Sequence, residues 1–173
     1  MARGSMKNKT GPDVASSIKD QILQASPVLE PFGNACTVRN NNSSRFGKFI
    51  ELRFKENGRV EGARILNFLL EKSRIVRQAE GERNYHVFYY LLKGCTEAER
   101  TDFSLLAPDK FKYLNRTGNE KIELETSDDA EEMAQLRTAM RVMRFTSSVQ
   151  REIFRVLACV LHMGNVDFES SEE

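Results

Sequence analysis

A chain of 173 residues with 40% hydrophobic and 29% charged residues has the makeup of a soluble globular segment, not of a disordered tail. Lys plus Arg number 26 against 25 Asp plus Glu, so net charge singles out neither nucleic acid nor a membrane surface as partner. No apolar run reaches membrane-span length, and Cys36, Cys95 and Cys159 are too scattered for a disulfide framework or a zinc site, which fits reduced thiols in the cytoplasm.

Residues 1–15 are small, polar and basic, with Gly11-Pro12 breaking any regular element, and read as a flexible lead or tag. From Ser16 the pattern turns helical, with Ile18, Ile22, Leu23 and Leu29 lining one face. Pro27 is expected to break that helix or start a fresh one, and Pro31 to weaken or bend the element begun at Pro27. Phe49–Phe54 alternates as a strand does, with Ile50, Leu52 and Phe54 on one face. Asn57-Gly58 then predicts a hairpin turn, because both residues accept positive φ, returning along Val60–Leu70.

The remainder reads as helical. Glu82–Leu92 carries Tyr85, Phe88, Leu91 and Leu92 at helical spacing, which makes Tyr89 and Tyr90 packing residues before recognition residues. His86 and His162 sit inside apolar helical patterns and read as structural. Thr96-x-x-Glu99, Asp128-x-x-Glu131 and Ser147-x-x-Gln150 have capping-box spacing and place three helix starts. The acidic residues 128–132 suit a helix N-terminus, Ile153, Leu157 and Leu161 form a core stripe, and Gly164 is expected to end the last helix with a left-handed cap.

The segment 37–49 concentrates the chemistry: Asn40, Asn41, Asn42, Ser43 and Ser44 stand between Arg39, Arg45 and Lys48. Such a loop offers amide donors, hydroxyls able to ligate Mg²⁺ and cations able to offset phosphate charge. The plainer alternative is a polar connector built of Asx and Ser turns. Interleaved Phe46 and Phe49 also leave single-stranded nucleic acid as a third reading, which the balanced overall charge disfavours.

The run NNNSSRFGKFIEL resembles the switch I motif of myosin motor heads. The resemblance continues through QILQASPVLEPFGNACT, GRVEGARILNFLLEKSRIV, ERNYHVFYYLLKG, KYLN and LACVLHMGNVDF in the family's order, from about Ser17 to Phe168. It implies a mixed α/β fold: a fragment of a P-loop NTPase-type head holding a hairpin of the central sheet and the helices of the upper cleft subdomain. Residues 16–173 would be a partial motor domain truncated at both ends. The resemblance further implies a segment of an actin-based, ATP-driven motor that senses Mg²⁺ and ATP, associated with the cytoskeleton and partnered by actin and the rest of a heavy chain. Within it, Asn40 and Asn42 would lie on the nucleotide side, although Asn42 and Lys48 read first as supports of the loop. Ser43 would bond near the γ-phosphate and the attacking water as a candidate proton relay, and Ser44 would ligate Mg²⁺. Arg45 would pair with a glutamate of the second switch on closure, which makes Ser43 and Arg45 the catalytic candidates.

Two positions depart from the family pattern. Cys36 stands where lysine is usual, and Pro31 replaces a residue compatible with continuous helix. The sequence has no G-x-x-x-x-G-K-[ST] run and no second switch, so the chain alone is expected to lack ATPase activity. The end FESSEE is expected to lead into a surface loop that reaches toward actin. The alternative to a motor segment is a non-catalytic remnant acting as an interaction module.

Overall fold

The computed structural model describes residues 17–115, 118, 123–124 and 127–169; the expected lead and the acidic end at 170–173 lie outside the described residues. Helix α1 spans Ile18–Gly33 and starts with a reciprocal cap. The Asp20 N–H donates to Ser17 Oγ at 3.1 Å, and the Ser17 N–H donates to Asp20 Oδ2 at 3.0 Å. Contrary to the expectation of a break, α1 runs straight through Pro27 and Pro31. The donors lost there would have served the carbonyls of Leu23 and Pro27, both exposed positions where water can substitute. The buried face is also not the expected one: Ala25, Val28 and Pro31 point inward, while Ile18 and Leu23 are exposed.

Two short strands follow, β1 (Asn34–Ala35) and β2 (Ser43–Ser44), paired antiparallel. Strands β3 (Gly47–Phe54) and β4 (Val60–Phe68) form the hairpin, with Gly47 opposite Phe68 and a bulge between Arg53 and Phe54. The turn falls at Asn57-Gly58, as the sequence predicts. Gly58 alone of the Asn-Gly pair has positive φ, at 76°. The Gly58 N–H donates to the Lys55 carbonyl at 2.9 Å, and Asn57 Oδ1 accepts the Arg59 N–H at 3.1 Å. The loop is therefore an Asn-stabilised turn closed by a left-handed glycine, which needs only one residue with positive φ. Both faces of the hairpin are open: Phe49, Leu52, Phe54, Leu66 and Phe68 are all exposed.

The helices α2 (His86–Gly94), α3 (Glu97–Asp102), α4 (Asp129–Val142) and α5 (Ser147–Gly164) build the core. Every residue from His86 to Leu92 is buried, as expected of a helix with apolar groups all round. It packs with Met133, Leu136 and Met140 of α4 and Phe154 and Leu161 of α5. Tyr89 and Tyr90 are packing residues, as read from the sequence.

Helix α2 begins four residues later than the periodicity predicts, because Arg83, Asn84 and Tyr85 are committed to tertiary bonds. Arg83 Nη2 donates to both Asp129 oxygens at 3.0 and 2.8 Å, and its guanidinium lies 3.7 Å from the centre of the Tyr89 ring. Asn84 Nδ2 donates to the carbonyls of Ile75 at 2.9 Å and Tyr113 at 2.8 Å.

The predicted capping box opens α3 as expected, with Thr96 and Glu99 bonded in both directions. Asp128 caps α4 through the Ala130 N–H at 2.8 Å. Thr146, which the sequence offers as a cap beside the serines at 147–148, caps α5 by accepting the Val149 N–H. Gly164 does not make a left-handed cap. It is the last residue of α5, and a Cβ there would sit 2.6 Å from the Tyr113 ring, so close approach and not backbone conformation calls for glycine.

Candidate functional site

The polar segment singled out in the sequence comprises the loop that joins β1 to β2, β2 itself and the first residues of β3. Its base is fixed on both sides. Asn34 faces Ser44 and Ala35 faces Ser43 across the small sheet, Ala35 also bridges to Tyr85, and the Arg83 N–H donates to the Cys36 carbonyl at 2.9 Å. Within the loop, Thr37 and Asn40 exchange backbone bonds at 2.9 and 3.3 Å, which closes a tight turn. Val38, Arg39, Asn40, Asn41 and Asn42 are exposed at its tip.

Two of the asparagines shape the loop itself. Asn40 Oδ1 accepts the Asn42 N–H at 2.8 Å, an Asx turn, and Asn42 Oδ1 accepts Asn34 Nδ2 at 3.0 Å. Cys36 is buried at the base, its thiol 3.3 Å from Asn41 Oδ1, and acts as a small filler. Lys48 braces β3 against α1, donating to Ser26 Oγ at 2.7 Å with Glu30 at 3.6 Å.

The hydroxyls and the arginine lie where the loop returns. Ser43 is half-buried and Ser44 exposed. Ser44 Oγ donates to the Phe46 carbonyl at 3.0 Å, which leaves its oxygen lone pairs available to a metal ion. The Arg45 backbone is pinned twice: its N–H donates to the Gly33 carbonyl at 2.7 Å, and its carbonyl accepts the Glu71 N–H at 2.9 Å. Its guanidinium is about one-third exposed and lies 3.5 Å from the Glu71 carboxylate. Of the five residues, Asn40 and Asn42 thus lie in the β1–β2 loop, Ser43 and Ser44 form β2, and Arg45 follows directly after it. Among the described residues, no group of three or more His, Cys, Asp or Glu side chains could hold a metal alone.

Residues 3–173 match the model of one protein family, described as the myosin head (motor domain). The chain belongs to this family. It is 48% identical over 161 residues to the myosin ID heavy chain of Dictyostelium discoideum, covering 93% of this chain and 14% of that protein. Against the myosin IA heavy chain of the same organism the identity is 46%, covering 89% of this chain and 16% of that protein. The unconventional myosin heavy chain 6 of Caenorhabditis elegans is 47% identical, over 90% of this chain and 7% of its own length. This myosin-head chain therefore spans only a small part of the relatives it matches. Among its described residues no helix is long and apolar enough to cross a membrane.

Sequence reasoning missed two residues that organise the myosin-head loop. Asn34 holds the Asn42 side chain, and its own Oδ1 is buried without a protein partner. Glu71 meets Arg45 from 26 positions away and is bonded to Arg74 Nε at 2.8 Å. The only signal for Glu71 was its place in the LLEKSR run, which carries family resemblance but no local periodicity.

Proposed function

We propose that this chain supplies the loop by which an actin-based, ATP-driven motor head senses Mg·ATP. The observation that supports the reading most directly is the placement of Ser44 Oγ and Arg45 on the solvent-facing return of the Asn-Ser loop, in a chain of the myosin head family. Asn40 and Asn42 line the approach to the phosphates, and Ser43 orients the attacking water beside the γ-phosphate. Ser44 offers an oxygen lone pair to Mg²⁺, and Arg45 closes the loop by pairing with a carboxylate of the second switch. Bound Mg²⁺ supplies charge neutralisation on the phosphate oxygens. Phosphoryl transfer depends mainly on such positioning and on stabilising spread negative charge. A loop ordered by metal and γ-phosphate and released after hydrolysis is a known switch design.

The sequence contains no G-x-x-x-x-G-K-[ST] run, so this segment alone cradles no α- or β-phosphate and hydrolyses no ATP. Mg·ATP binding and the first-turnover phosphate burst of a complete head containing the segment test the reading. Ser44→Ala is expected to weaken Mg²⁺-dependent ATP binding by about tenfold or more. Arg45→Ala is expected to retain binding and lose the burst. If neither substitution alters binding or burst, the loop has been misread.

A further inference from the structure

Arg45 and Arg74 converge on one oxygen of Glu71, and they hold it unequally. Arg74 Nε donates to Glu71 Oε2 at 2.8 Å from a buried side chain. Arg45 Nη1 lies 3.5 Å from the same atom and is far more exposed. Arg74 has further anchors, with Nη1 donating to Glu82 at 2.9 Å and to the Arg83 carbonyl at 3.1 Å. Glu71 is fixed through its backbone as well. Its N–H donates to the Arg45 carbonyl at 2.9 Å, and its carbonyl accepts the Tyr85 hydroxyl at 2.7 Å. Two residues earlier, Leu69 takes φ of 58°, a left-handed conformation unfavourable for leucine, and there the chain leaves β4 toward Glu71.

We propose that Glu71 is a positioning residue that holds Arg45 in reserve. It orients the guanidinium beside the loop and yields it to a second carboxylate when the loop closes. This rests on the reading of Arg45 as the closing arginine. Three features make the exchange easy. The Arg45 backbone is pinned at both its N–H and its carbonyl, so the exchange is a swing of the side chain. Arg74 stays on Glu71 after Arg45 leaves, so no carboxylate loses all its partners, which is the costly outcome of breaking a buried pair. The long, partly exposed contact is the weaker of the two and so the one that gives way. Glu71 thereby sets how readily the loop closes without touching nucleotide itself.

The test is the burst amplitude at saturating Mg·ATP in a complete head containing this segment, taken as the closing equilibrium, beside Mg·ATP affinity and thermal unfolding. Glu71→Gln is expected to raise that equilibrium about two- to fivefold at low salt, as loss of a partly exposed ion pair implies, with the gain shrinking as ionic strength rises. The Mg·ATP binding step that precedes closure is expected to stay unchanged, and overall affinity to rise only in step with the closing equilibrium, a separation that a purely structural role would not produce. Glu82→Gln removes one of Arg74's partners, drives Arg74 harder onto Glu71 and is expected to shift closure the same way. It keeps the test decisive if Glu71→Gln fails to fold.

In an Arg45→Ala background neither change is expected to have an effect. A burst that falls or does not move in a folded Glu71→Gln head, or that moves equally without Arg45, overturns the exchange. An Arg45→Ala head with a normal burst overturns the closing-arginine reading, and the exchange with it.

Discussion

At the scale of single residues, the side chains that matter most were legible by type but not by role. Asp129 reads in the sequence as one of several acids suited to a helix N-terminus, yet it is buried and holds Arg83 through two bonds. Nothing in a local window reveals a partner 46 positions away. Burial pushes the Asp129 carboxyl up, and the Arg83 charge opposes that shift. Arg83→Met leaves Asp129 charged and unpaired in the interior, so it is expected to cost about 3–5 kcal/mol of stability, read from denaturant unfolding. Replacing both partners together is expected to cost less, because no lone charge then remains.

His86 offers a second residue-scale test. Burial, reinforced by nearby Arg83, lowers its pKa from 6.5 to about 4, so the folded ring is neutral at pH 7. The unfolded chain takes up this proton as pH falls through about 6.5, and the folded chain does so only near 4. Acidification across that window therefore favours unfolding, by about 3 kcal/mol at its lower end. His86→Phe is expected to remove this part of the pH dependence. Equal slopes in the two proteins between pH 7 and pH 4 would show that the ring is not held neutral.

At the scale of elements, α1 shows where sequence rules were overruled. Proline penalties are local, whereas the helix is held by its cap at Ser17 and by Ala25, Val28 and Pro31 packing inward. The strand hairpin and the α3 cap were readable because alternation and capping boxes are encoded within a few residues. The start of α2 was not, because Arg83–Tyr85 serve distant partners. The two prolines should respond differently to removal. Pro27 is exposed, so Pro27→Ala restores a helical donor at little packing loss and is expected to stabilise by about 1–3 kcal/mol. Pro31 is buried, so Pro31→Ala regains a donor but loses packing and is expected to gain clearly less. The order of the two unfolding midpoints is the measurement, and a larger gain at Pro31 would contradict this account.

At the scale of the whole molecule, two regions differ in how their apolar surface is used. The helices enclose a core around Phe111, Met133, Leu136 and Phe154, all essentially inaccessible to solvent. The β3–β4 hairpin leaves Phe49 and Phe54 each 58% exposed, with Leu52, Leu66 and Phe68 uncovered beside them. The alternation that made this hairpin legible promised one buried face, but the described residues cover neither. Exposed apolar groups on a two-stranded sheet with free edges invite pairing with another chain. The isolated chain is therefore expected to self-associate through the hairpin while its helical core stays folded. Leu52→Lys with Phe54→Lys should shift sedimentation toward monomer and leave the helical circular dichroism and the unfolding midpoint of the core unchanged. A monodisperse wild-type monomer that unfolds in one sharp transition would remove the premise, since the hairpin would then be neither sticky nor separable from the core.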